Sequence, residues 1–133
     1  MKKLIASAAL ALLGAAASVQ AEVAVIVNPG VSSSPNQAQV ANIFLGKDKS
    51  LTGIDQNGWN PVKNKFYTSV TNKNESQLKS YWSSLIFTGK GQPLASVDGD
   101  AAVVARVAAD ASVIGYVDAS AVTDGVRVLF TIP

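Results

Sequence analysis

The chain alternates two kinds of apolar segment, and that alternation restricts its fold more than any single motif does. "EVAVIVNPG" at Glu22–Gly30 is a continuous β-branched run ending on a turn signal, the pattern of a strand buried on both faces. The next segment, "SPNQAQVANIFLG", places Val40, Ile43 and Phe44 at helical spacing and stops at Gly46. Its start reads as a capping box, with Ser34 as N-cap, Pro35 at the first helical position and Gln37 three residues after the cap. The polar, glycine-punctuated "SLTGIDQNGW" leaves room for a short strand near Ile54. Two helices follow. One starts at Asn60 and Pro61, with Phe66 and Val70 four apart; the other covers Asn74–Gly89, with Leu78, Tyr81, Trp82 and Leu85 on one face as core packing. A loop through "GQPLASV" leads to a helix capped at Asp98 or Asp100, then to the buried strand "VIGYV" and the alternating "GVRVLFTI". Strands separated by helices predict an α/β fold, a single-domain three-layer sandwich with a mixed sheet.

The front of the chain does not fit this scheme. Lys2 and Lys3 precede an unbroken run of apolar and small residues, and "SVQA" puts Val19 and Ala21 where a signal peptidase reads small side chains. Residues 1–21 are expected to be a cleaved secretory signal, too short to span a bilayer, and residues 22–133 one mature domain. A soluble, exported protein is expected.

Composition then removes whole classes of chemistry. The chain has neither Cys nor His. A thiol nucleophile, a Ser-His-Asp triad, a lipid anchor on cysteine and the usual zinc and haem ligands are therefore excluded, and an exported domain must be held together without disulfides. Ser76 and Lys79 in "SQLK" match the S-x-x-K of serine acyltransferases, but the companion S-D-N and K-T-G elements are missing. Asp98, Asp100 and Asp110 lack the spacing of a calcium loop. The expectation is a non-enzyme with no cofactor and no metal.

Charge gives a weaker indication. Lys+Arg number 11 and Asp+Glu 9, so removing Lys2 and Lys3 leaves nine of each, with no reason to expect nucleic acid as a partner. The charges are uneven all the same. Residues 47–90 carry seven lysines against Asp48, Asp55 and Glu75, whereas residues 91–133 carry Arg106 and Arg127 against five aspartates. A positive middle can attract small anions.

Two stretches nearly repeat, "IFLGK" at Ile43–Lys47 and "IFTGK" at Ile86–Lys90. Each glycine falls where a helical pattern ends, the position that favours a positive φ, and the adjacent lysine complements the negative end of the helix dipole. Neither has the spacing of a Walker loop, so both are predicted to be helix ends. A better anion site lies at "NPVK". With Asn60 as N-cap and Pro61 first in the helix, Lys63 falls in the first turn, where a cation costs about 0.3–1 kcal/mol against the dipole unless an anion is bound. Ser32 and Ser33 in "NPGVSSSP" are further candidates, because ligands in α/β sheets sit beyond the carboxyl ends of strands. Thr88, beside Gly89, is another. Trp59, between Gly58 and Asn60, is expected to be exposed and to offer a contact for a partner.

"VAVIVNP", "NIFLGK", Phe66–Tyr67, "QLKSYWSSLIFTGKGQP" and "VIGYVDAS" together resemble the short phosphate ABC-transporter substrate-binding-like proteins. These are condensed, single-domain relatives of the periplasmic phosphate-binding protein, within the type 2 periplasmic-binding-protein superfamily. The resemblance spans nearly all of residues 22–133. It implies a periplasmic location and a periplasmic-binding-protein-like domain that binds inorganic phosphate or a similar small anion, with an ABC-transporter membrane component or another envelope protein as partner. Members of the family usually carry serine, proline, any residue and arginine before the Phe-Tyr pair, the serine and arginine holding the oxyanion; here Asn60, Pro61, Val62 and Lys63 stand in those places. Lysine is a point charge without arginine's bidentate fork. The expected function is phosphate-type solute binding at Asn60–Lys63. The alternative is a non-transport interaction module that kept the fold, lost high-affinity anion binding and docks through Trp59.

Overall fold

β1 (Val23–Val27) is buried along its whole length because both of its faces are covered. In the computed structural model, which describes residues 22–133, Val23, Val25 and Val27 pack on one side of the sheet and Ala24 and Ile26 on the other. This is the two-residue alternation of a strand at the centre of three layers. The expected signal, residues 1–21, lies outside the described residues.

β5 (Val113–Asp118) and β6 (Arg127–Ile132) flank β1, both antiparallel to it, and β2 (Thr52–Gly53) adds to β5 in parallel. The order β2-β5-β1-β6 makes the sheet mixed, as expected. One face is covered by α1 (Gln37–Phe44), α2 (Pro61–Val70) and α3 (Glu75–Phe87), which contribute Phe44, Phe66, Tyr67 and Leu78 to the core. The rings of Phe66 and Tyr116 stack with centroids 4.2 Å apart, and Phe44 meets Phe66 edge-on at 4.7 Å. The other face is covered by α4 (Gly99–Ala109) through Val103, Val104 and Val107. α4 comes so close to β5 that a methyl group at Gly115 would collide with Val103 Cγ1.

Both glycine-lysine echoes are helix ends: Gly46 and Gly89 have φ of 77° and 70°. The helix starts at Asn60 and Asn74 are also as predicted, each with its asparagine side chain accepting from a first-turn amide. α1 differs. Its N-cap is Asn36, whose Oδ1 accepts from Gln39 N at 2.9 Å while Gln39 Oε1 accepts from Asn36 N at 2.9 Å. The capping box is thus two residues beyond the one expected at Ser34. The hydroxyl of Ser34 instead accepts from Arg127 Nη1 at 3.2 Å, across 93 positions of sequence. The strand expected near Ile54 is two strands. β2 precedes Ile54, and β3 (Asp55–Gln56) follows it to pair in parallel with β4 (Ser96–Val97), so the "GQPLASV" loop also contributes a strand. Among the described residues no helix is long and apolar enough to cross a membrane.

Candidate anion-binding cleft

The segment from β3 into α2 is organised by Asn60. Its Oδ1 accepts from Lys63 N at 2.8 Å, capping the helix, and its Nδ2 donates to Gln56 Oε1 at 2.9 Å. Gln56 is almost fully buried and in turn donates from Nε2 to Asp100 Oδ1 and to Tyr116 O, both at 2.9 Å. Pro61, which follows the cap, has no N–H to leave unsatisfied. One amide side chain therefore joins the helix start to the buried interior.

Lys63 does not extend into water. Its side chain is 14% exposed and folds back over the turn, where Nζ donates to Gln56 O at 2.9 Å and lies 3.6 Å from Asp55 Oδ1. The ammonium also sits 5.7 Å from the centre of the Trp59 ring, within cation–π range. Asp55 is the hub of this arrangement. Its carboxylate accepts from Tyr67 OH at 2.9 Å, from Tyr116 OH and from Gln56 N at 2.9 Å. Burial, followed by the negative charge of Asp55, pushes the ionisation of Tyr67 and Tyr116 well above the ordinary phenol range. Both phenols are consequently held as hydrogen-bond donors.

Trp59 is half-buried rather than exposed. Its ring lies nearly parallel to that of Tyr67 with centroids 6.0 Å apart, and its indole N–H donates to Asn64 Oδ1 at 3.2 Å. The aromatic cluster beneath it and the asparagine one helical turn away use both ends of the side chain, which explains why a glycine-flanked tryptophan is not a free surface anchor.

Beside these groups opens a cleft of about 590 Å³. Asp55, Trp59 and Lys63 form one wall; Leu78, Trp82 and Ile86 of α3 form another, with Leu94 contributing from the loop before β4. Of the residues singled out from sequence, the structure places Asn60 and Lys63 together, with Lys63 lining the cleft. It places Ser32 and Ser33 elsewhere. β1 is antiparallel to β5 and β2 is parallel to it, so the chain leaves β1 toward the Ser32–Ser33 loop at the opposite end of the sheet from the Asp55–Lys63 segment that follows β2. That loop is gathered by Arg127, which donates to Val31 O at 2.8 Å and Ser33 O at 2.6 Å. Thr88 is the C-cap of α3, its hydroxyl donating to Ser84 O at 2.9 Å, and does not line the cleft. Ser76 is exposed, and Lys79 faces Glu75 at 3.5 Å rather than activating a nucleophile. Among the described residues no group of three or more carboxylates is placed to hold a metal ion.

Asp55, Gln56, Tyr67 and Tyr116 were not singled out as site residues from sequence. Asp55 and Tyr116 are 61 positions apart, and no local pattern links them.

No protein-family model matches the chain, and no curated protein matches it. Solved structures do. An ABC-type phosphate transport receptor from Vibrio cholerae superposes with a TM-score of 0.64 at 11% identity, over 81% of this chain and 45% of the receptor. A protein from Clostridium perfringens, described as a phosphate ABC transporter substrate-binding protein and solved with bound phosphate, gives 0.62 at 17% identity, over 81% and 44%. PstS from Borrelia burgdorferi gives 0.60 at 11% identity, over 81% and 46%. These neighbours are binding proteins. The chain has the α/β fold of these phosphate ABC transporter substrate-binding proteins and spans a little under half of their length.

Proposed function

We propose that this chain is a solute-binding-like protein that holds phosphate or a related oxyanion weakly in the cleft at the start of α2. The observation that carries the reading is the position of Lys63, a cation in the first turn of a helix and in the wall of an open cleft of about 590 Å³. An ammonium has three donors. Gln56 O and Asp55 engage two of them, and the third is available to an anion that the helix dipole also favours. Affinity is weak for two reasons. Asp55 offsets most of the lysine's field, and the cleft is open, so the contacts stay screened by solvent. The shared fold of phosphate-transport receptors supports the same ligand class. On this reading the protein is exported to the periplasm and serves an ABC-transporter membrane component or another envelope protein.

The test is calorimetric titration of residues 22–133 with phosphate and with sulfate at low salt, repeated on Lys63→Met. The reading expects weak phosphate binding that disappears in the variant. No heat at millimolar phosphate, or unchanged binding in Lys63→Met, would overturn it.

A second reading is favoured by one observation: the groups that would hold the anion are partly committed within the protein. Lys63 Nζ is engaged by Asp55 and Gln56, Asn60 Oδ1 covers the amide of Lys63, and Pro61 has no N–H. Here the chain is an interaction module that keeps the fold without anion capture. Its contact would lie away from the packed Trp59 and toward Phe87, which is 92% exposed at the end of α3. A partner that co-purifies with the wild type and is lost on Phe87→Ser, in a protein silent toward phosphate, would favour this reading.

A further inference from the structure

The cleft is much larger than the anion it is proposed to hold. A tetrahedral oxyanion fills roughly two water volumes, about 60 Å³, whereas the cleft measures about 590 Å³. Openings of about 300–1,000 Å³ suit organic ligands that bury most of their surface. The walls differ as sharply as the sizes. Lys63 marks one end, paired with Asp55. Opposite it, Leu78, Trp82 and Ile86 follow one another at intervals of four along α3 and form a continuous apolar row facing the cleft. Ile86 is 49% exposed, which leaves apolar surface that a bare inorganic anion would not cover. The other charged pair at the cleft, Glu75 and Lys79, also cancels. Charge alone therefore gives little affinity here, and the unused resource is apolar area.

On this basis, and resting on the oxyanion reading above, we propose that the ligand is an organic oxyanion. A phosphate or carboxylate head would sit at Lys63, and an apolar body of about six to ten heavy atoms would lie along the Leu78–Trp82–Ile86 row. The head accepts from the remaining donor of Lys63. The body covers Ile86 and the edge of Trp82, displacing water from both walls, which is the contribution that an open, charge-balanced cleft otherwise lacks.

The chain contains two tryptophans, Trp59 and Trp82, and both line the cleft, so intrinsic fluorescence reports occupancy directly. The experiment titrates residues 22–133 with hexyl phosphate, inorganic phosphate and hexanol, followed by calorimetry and tryptophan emission. Hexyl phosphate is expected to bind about tenfold more tightly than inorganic phosphate, with a change in emission. Ile86→Asp should bring its affinity down to that of inorganic phosphate, and Ile86→Ser gives a milder variant if the aspartate perturbs folding. Equal affinities for hexyl phosphate and inorganic phosphate, both lost in Lys63→Met, would overturn this inference and leave the oxyanion reading standing. Hexanol binding as well as hexyl phosphate, unaffected by Lys63→Met, would overturn both. Tighter binding of hexyl phosphate than of inorganic phosphate, with no binding of hexanol, the advantage lost in Ile86→Asp and all binding lost in Lys63→Met, would show that head and body both contribute and would support the inference.

Discussion

Asp55 illustrates how one side chain can decide the character of a site. Its carboxylate receives two phenols and lies beside the ammonium of Lys63, in surroundings that leave both charged side chains 14% exposed. Asp55→Asn keeps the shape but leaves Lys63 without its counter-charge, and is expected to cost about 2 kcal/mol in urea denaturation. The phenols make a separate prediction. Tyr67 and Tyr116 ionise in the folded protein only well above the ordinary phenol value of about 10. Between the two values the folded state keeps protons that the unfolded state releases. The stability from these groups is therefore complete below about pH 10 and is lost as pH rises beyond it. Thermal melts from about pH 8 to 11 should show a steep alkaline decline that Tyr67→Phe makes shallower, although that variant starts from a lower stability because Asp55 loses a donor. The sequence makes Asn60 legible as a cap and Lys63 as a first-turn cation, since both roles depend on neighbours three residues away. It does not show where the lysine's charge is spent, because the tyrosines and the carboxylate meet only through the fold.

For the elements, legibility follows the range of the forces involved. α2 and α3 could be placed because an N-cap asparagine, an apolar row and a terminal residue that admits positive φ all act within a single turn or two. α1 shows the limit of that argument. Ser34 and Asn36 each stand three residues before a glutamine, so the local pattern allows either box. The choice depends on Arg127, which reaches Ser34 from β6 and removes it from competition. Asn36→Ala should accordingly cost about 1 kcal/mol in urea denaturation, and Ser34→Ala less than half of that. The two-residue strands β2, β3 and β4 are too short to carry a period, and they exist through pairing with partners remote in sequence. Gly115 belongs to this scale as well. Its missing side chain lets α4 close against β5, so Gly115→Ala is expected to destabilise by about 1–3 kcal/mol, with part of the loss recovered when Val103→Ala is added.

At the level of the molecule, the three layers give the central strand two apolar faces and carry the lysine-rich segment 47–90 mainly to one side of the sheet, with α4 on the other. The cleft lies on the lysine-bearing side, is open, and has its charges paired. Phosphate binding there should weaken several-fold between about 0.01 and 0.15 M ionic strength, because salt ions enter the open cleft and screen the attraction between Lys63 and the anion; calorimetry at the two salt concentrations checks it. What could be read from the residues in order was the layer architecture, the starts of α2 and α3, the central and final strands and the meaning of the two glycine-lysine echoes. All of these arise from burial periodicity and backbone preferences that act over a few residues. The tertiary structure alone decided that Trp59 packs on Tyr67, that Ser32 and Ser33 lie at the other end of the sheet from Lys63, and that Lys63 answers to Asp55. Those outcomes depend on strand direction and on contacts between segments far apart along the chain, and a pattern confined to neighbouring residues cannot encode them.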